Sequence, residues 1–181
     1  DNATSLNHPV TGNAAIGNCW THVAATYNTA TNTWKLYLNG ALDKTLALGA
    51  SYTPQSLSNV SMGIGTSINS LNVTEGFFNG RIDELRIWNI VRTDAEILAN
   101  YNAELTSGAG LVSRWGFNDG TGSTAVNSIA GSPAATLVNN PAWVNGFNQP
   151  SPVGSTLDFN GTADYVTFGA APVLNTTSFT L

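Results

Sequence analysis

Residues 33–48 read TWKLYLNGALDKTLAL. Trp34, Leu36 and Leu38 alternate with Lys35, Tyr37 and Asn39, the period of two that turns one face of a strand to a core. Asn39-Gly40 then supplies two residues that tolerate positive φ, as a two-residue type I′ hairpin turn requires. Leu42, Leu46 and Leu48 return on the partner strand. The stretch therefore predicts an antiparallel hairpin, and the segments around it extend the same reading. THVAATY (21–27) predicts a strand, and VSMGIGTS (60–67) predicts another, with glycines where a neighbour or a bend comes close.

FFNGRIDELRIWN (77–89) predicts a turn at Asn79-Gly80 and then a strand. Asp83, Leu85 and Ile87 share one face of that strand, while Ile82, Glu84, Arg86 and Trp88 share the other. Apolar residues on both faces imply a strand covered on both sides or bulged midway. Thr93, with Glu96 three residues later, forms a capping box. Ile97, Leu98 and Tyr101 follow at helical spacing, so one short helix is predicted over 94–104. LTSGAG (105–110) has no periodicity and reads as a linker. Beyond it, LVSRWGF (111–117) is a strand and NDGTGS a loop. ATLVNNPAWV (135–144) contains a strand ended by Pro141. NQPSPVGS (148–155) is read as a loop whose prolines do not pair. TLDFNG, DYVTF and SFTL are three more short strands, the first two joined by a turn at Asn160-Gly161. Many short strands, frequent turn signals and one helix define an all-β sandwich.

Composition narrows the function. Charged residues are 9% of the 181, against hydrophobic residues at 42%; a core is available and the surface is covered by Asn, Thr, Ser and Gly. The net charge is −5, from 11 acids and 6 bases. That excludes the basic stripe by which proteins displace counterions from nucleic acid, and it disfavours an anionic membrane surface. No apolar run approaches the roughly 18 residues of a membrane helix, so membrane insertion is not expected. A neutral surface rich in amides and hydroxyls is common on extracellular β-proteins. The first residue is Asp1, which suggests a processed product or a fragment. Cys19 stands alone, so no internal disulfide forms; a small buried hydrophobe beside Trp20 is the expectation, an intermolecular bridge the alternative.

The motifs taken together are specific. CWTHVAATYNTATNTWKLYLNG resembles a stretch of the LamG-like jelly-roll family, of the concanavalin A-like lectin/glucanase fold. FFNGRIDELRIWNIVRTDAEI resembles that family's ending. GLVSRWGFNDGTGSTAVNSIAG resembles its beginning, and STLDFNGTADYVTFGAAPVLNTTSFTL its next piece. The order in this chain is reversed: the ending precedes the beginning. By that resemblance, residues 1–104 finish one module, 105–110 link, and 111–181 open the next in a tandem array, with the two parts free to associate as a permuted sandwich.

The resemblance implies a non-catalytic module of a secreted multi-module bacterial surface protein, serving adhesion. Its partners would be a glycan or an extracellular protein, with neighbouring modules or copies of itself. The alternatives are a structural repeat of an extracellular filament completed by strands of a neighbouring copy, and an accessory module of a secreted hydrolase. Hydrolases of the family place several acids on one strand as E-x-D-x-x-E. Here Asp83 and Glu84 are adjacent, so they point to opposite faces and cannot flank one sugar bond. His22 matches the family's structural His, and His8 reads as a loop residue. Related jelly rolls hold a structural Ca²⁺ with an Asp on this strand, which implies Asp83 as a ligand, Asp119 in FNDGTG as its partner, and Asn160 as a weaker one. Equally open is that Asp83 accepts backbone N–H groups or pairs with Arg81 or Arg86. Of the five tryptophans, Trp34 and Trp115 lie on core-facing registers, and Trp20 and Trp88 match family structural positions. Trp143 is left as the candidate sugar platform, with core packing the other reading.

Overall fold

A computed structural model describes residues 9–49, 61–145, 148–149, 151–152, 154–170 and 178–181; His8 lies outside them. The strands in chain order are β1 Val23–Asn28, β2 Thr33–Leu38, β3 Ala41–Ala47, β4 Ser61–Ile64, β5 Thr66–Ile68 and β6 Thr74–Phe77. Next come β7 Asn79–Ile82, β8 Leu85–Trp88, helix α1 Asp94–Asn100, β9 Leu111–Trp115, β10 Thr124–Ala125 and β11 Ala135–Val138. The last are β12 Ala142–Asn145, β13 Asn148–Gln149, β14 Ser151–Pro152, β15 Ser155–Asn160, β16 Tyr165–Ala170 and β17 Ser178–Thr180. The chain divides into two compact units, and each draws on both of the sequence segments 1–104 and 111–181.

The first unit comprises residues 1–56, 87–112 and 173–181. In it β3, β2, β1 and β17 lie side by side in that order in one sheet. The β2–β3 hairpin turns through Asn39 at φ 49° and Gly40 at φ 80°, the type I′ geometry that the Asn-Gly pair predicts. His22 and Asn39 lock its base: Asn39 N–H donates to the His22 carbonyl at 2.9 Å, and His22 N–H donates to Asn39 Oδ1 at 3.0 Å. One face of the sheet carries an aromatic row. Tyr27 of β1 lies between its register partners Trp34 and Phe179, with ring centroids 4.8 and 6.1 Å away.

The other face is covered as well. Tyr37 is 1% exposed and clusters with Ala24 and Ile97 of α1. The helix docks on that face, so the tyrosine's alternate position is buried as well. Tyr37 Oη and Lys35 Nζ both donate to Asp94 Oδ1 at 2.7 Å, at the start of the helix. The capping box forms as its sequence predicts: Glu96 N–H donates to Thr93 Oγ1, and Thr93 N–H donates to Glu96 Oε2. The helix stops at Asn100, short of the expected 104, with Tyr101 as its C-cap. Asn100 accepts from Ala103 N–H at 3.2 Å, which closes a turn in place of another helical round. Leu98 is 57% exposed and leaves the docking to Ile97 and Tyr101. Cys19 is also exposed, because it sits in the irregular segment ahead of β1 rather than within the sheet.

The second unit comprises residues 57–86 and 113–172. It holds a four-stranded sheet β10-β11-β16-β4, a three-stranded sheet β12-β15-β7, and the small pairs β5-β6 and β13-β14. Asn79-Gly80 is not a turn: both residues belong to β7 and pair with Asn160 and Phe159 of β15. Gly80 pairs at a φ of 151°, which a residue with a Cβ rarely adopts. The strand predicted to follow Asn79-Gly80 is interrupted midway. Glu84 takes φ 54°, an unusual conformation for a residue with a Cβ, and separates β7 from β8. Residues 142–145 form a further strand after Pro141, entered through left-handed Asn139 and Asn140. Gln149 and Ser151 also pair, as do Asn148 and Pro152; proline lacks a donor but keeps its carbonyl acceptor.

Trp115, fully buried, stacks on Phe168 with centroids 4.3 Å apart. Phe117, Leu157, Phe159 and Val166 complete the core of this unit at 1% exposure or less. Gly65 lets the Phe159 ring approach: a Cβ there would lie 2.7 Å from the ring.

Candidate functional site

The candidate site lies in the second unit, where Trp143 meets the loop after β9. The chain leaves β9 through Phe117, which is fully buried and left-handed at φ 49°, and this sends residues 118–123 outwards. Both carboxylate oxygens of Asp119 accept from Val126 N–H at 3.3 Å, which ties the start of the loop to the strand region beyond it. Trp143 stands on β12, an edge strand whose register sets it opposite Leu157. Its Nε1–H donates to the Gly122 carbonyl at 2.9 Å. The indole is half-buried, and Asn118, Asp119, Thr121 and Ser123 of the adjoining loop are exposed. A positioned aromatic face beside amide, carboxylate and hydroxyl groups is the chemistry that a sugar ring requires, with an apolar face and polar rim to be matched.

The structure thus brings two of the sequence-derived candidates, Trp143 and the Asp119 loop, into one region through a bond that the sequence gives no sign of. Asn160 and Asp83 are engaged elsewhere. Asn160 Oδ1 accepts from Thr162 N–H and Oγ1–H at 2.9 Å and from Ala163 N–H at 3.2 Å, an Asx turn that organises the tip between β15 and β16. Asp83 is half-buried, and its Oδ1 accepts from Glu84 N–H at 2.9 Å, the backbone role that stood as the alternative to a metal. Among the described residues, no three His, Cys, Asp or Glu side chains gather in a group able to hold a metal ion. His22 packs edge-on against Tyr101 at 6.1 Å.

Sequence reasoning missed the strongest electrostatic feature of the unit. Glu84 holds Arg114 with two bonds, Arg114 Nη2–H to Oε1 at 2.5 Å and Nε–H to Oε2 at 3.1 Å. Arg114 Nη1 also donates to Ser128 Oγ at 3.3 Å. The only sequence signal was a charged residue on each of two apolar strands. The pairing itself follows from the left-handed turn at Glu84, which alternation does not encode.

Comparison with protein families places a match on the chain. The model of the concanavalin A-like lectin/glucanases superfamily, in its laminin G form, covers residues 1–98. The chain belongs to this superfamily. Its LamG-like, concanavalin A-like jelly-roll β-sandwich class is all-β with one short helix. No curated protein and no solved structure matches the chain. Laminin G-like domains are in general binding modules and typically extracellular. No helix among the described residues is long and apolar enough to cross a membrane.

Proposed function

We propose that the chain is a non-catalytic LamG-like module of a secreted, multi-module bacterial surface protein that contacts glycans through Trp143 and the 118–123 loop. The observation that carries the reading is the Trp143 indole, fixed by its bond to Gly122 O with exposed polar groups beside it. An indole held in one orientation loses little freedom when a sugar stacks on it. The carboxylate pair at the centre of hydrolytic catalysis is not supported by the surroundings of Glu84, since Arg114 engages both its oxygens. Adhesion to a surface glycan is the role that such a module would serve, either alone or beside further modules.

A glycan array probed with the purified chain and with Trp143→Ala tests the proposal. Retention of a glycan class by the wild type, reduced at least tenfold in the variant, is expected. Equal retention by both proteins, or none by the wild type, overturns it. The Ca²⁺ suggested by the family resemblance is tested separately by melting with calcium and with chelator. A rise in Tm that Asp119→Asn abolishes supports an ion at that loop, and indifference to chelator removes it.

A further inference from the structure

The first unit holds a second cleft, and none of its residues belongs to the Trp143 site. Its volume is about 190 Å³, and Trp88, Ile90, Arg92, Glu96, Asn100 and Leu105 are among the residues that line it, with Ser107–Ala109 of the linker closing one side. Arg92 is its unusual member. Only 9% of that residue is exposed. Its guanidinium lies over the Trp88 ring, 4.1 Å from the centroid. Its backbone N–H donates to Thr180 Oγ1 at 2.9 Å, which fixes the residue to β17. Yet its buried Nε has no hydrogen-bond partner among the described residues. Glu96 Oε2 stands 3.9 Å from that Nε, beyond hydrogen-bond reach, and the same oxygen already accepts from Thr93 N–H and Oγ1–H at 2.8 Å.

Arg92 is ion-paired with Glu96, yet the pair leaves its buried Nε without a hydrogen bond, a cost that a second carboxylate matched to its planar fork would relieve. The size of the cleft selects further. It is smaller than the roughly 300 Å³ at which pockets for drug-sized ligands begin, so it suits one residue of a ligand. Ile90 and Leu105 offer an apolar wall. Glu96 and Asn100 offer acceptors: Asn100 Nδ2 donates to Glu96 O at 2.7 Å, which leaves its Oδ1 for a hydroxyl donor. A phosphate or sulfate ion would use neither the wall nor the acceptors. A neutral sugar would leave Arg92 unmatched. We propose that this cleft binds a uronic-acid residue of an acidic polysaccharide, its carboxylate on Arg92, its hydroxyls towards Glu96 and Asn100, and its apolar ring face on Ile90 and Leu105.

The test titrates tri-galacturonate into the chain at low ionic strength with chelator present, using maltotriose as the neutral control. Tryptophan emission and titration calorimetry both report, since Trp88 lines the cleft. Saturable binding of tri-galacturonate without comparable binding of maltotriose is expected. Arg92→Gln should weaken it at least tenfold. Ser107→Trp fills the cleft from an exposed position and should do the same; it decides the matter if Arg92→Gln does not fold. Thr136→Ala, an exposed change on β11 outside both sites, should leave this binding unchanged, and failure here is separable from failure at the other site because Ser107→Trp alters only this cleft. No saturable binding, equal binding of maltotriose, or an unaffected Ser107→Trp variant would each overturn the assignment.

Discussion

Two acid–base pairs, one from each unit, sit in opposite surroundings. In the first unit, Lys35 and Asp94 meet at 2.7 Å with side chains 32% and 52% exposed. In the second, Arg114 and Glu84 meet at 2.5 Å with side chains only 6% and 16% exposed. The exposed pair adds little by itself, because water solvates either partner almost as well. What holds α1 to the first unit is the burial of Ile97 on Ala24 and Tyr37, with the charges trimming the edge. In the second unit the pair sits among core residues, and neither partner can return to water if the other is lost. Similar contact distances thus carry different consequences, decided by solvent access.

Removing Glu84 should show the largest effect. Glu84→Ala takes its carboxylate from the buried Arg114 guanidinium, a loss of about 3–5 kcal/mol, read as a lower urea midpoint. The double variant Glu84→Leu with Arg114→Met should recover most of that loss. A single variant that unfolds like the wild type would break the comparison.

Packing, not charge, should govern the first unit. Gly40→Ala puts a Cβ 2.7 Å from the Tyr101 ring and 3.1 Å from the Leu98 Cα, at a φ of 80°. The crowding should cost about 1–3 kcal/mol, with amide exchange rising in α1 and at the β2–β3 turn. A smaller effect is expected from Thr93→Ala, which removes the cap and should cost about 1 kcal/mol. It should also raise the Glu96 carboxyl part of the way towards its ordinary value: the Thr93 backbone N–H, the larger of the two bonds that hold it down, remains, and the hydroxyl bond, the smaller, is lost; NMR titration measures this.

Lys35→Ala should be the mildest change, below about 1 kcal/mol and erased by molar salt. Its pH signature is more telling than its size. Hydrogen bonds from Lys35 and then Tyr37 lower the Asp94 carboxyl below its usual range. A lowered folded-state value means that the stabilisation is complete above the unfolded carboxylate's titration near about pH 4. It fades as the pH falls through the lower folded value. In Lys35→Ala the Asp94 titration should move up; an unmoved titration would show that the pair has no part in holding the helix.

Much of the local structure was legible in the chain. Asn39-Gly40 specified its turn because few residue pairs accept two positive φ values, and Thr93 with Glu96 specified the start of α1 because they satisfy the orphan N–H groups there. Trp115 was correctly placed in a core by its register. The burial of Tyr37 was not legible because alternation says which residues share a face, not what will cover it. Asn79-Gly80 was misread because the same pair that makes a tight turn also fits a strand when a partner supplies the hydrogen bonds.

The sequence by itself determined the all-β class, the hairpin, the capped helix and the aromatic positions, all of which depend on residues close together in the chain. Tertiary structure alone decided that β17 lies between β1 and β8, that Glu84 turns out of its strand to hold Arg114, that Trp143 is anchored on Gly122, and that Arg92 lies stacked on Trp88 in a cleft. Those outcomes depend on which distant strands pair and which groups lose access to water, and neither is a property of a local stretch of residues.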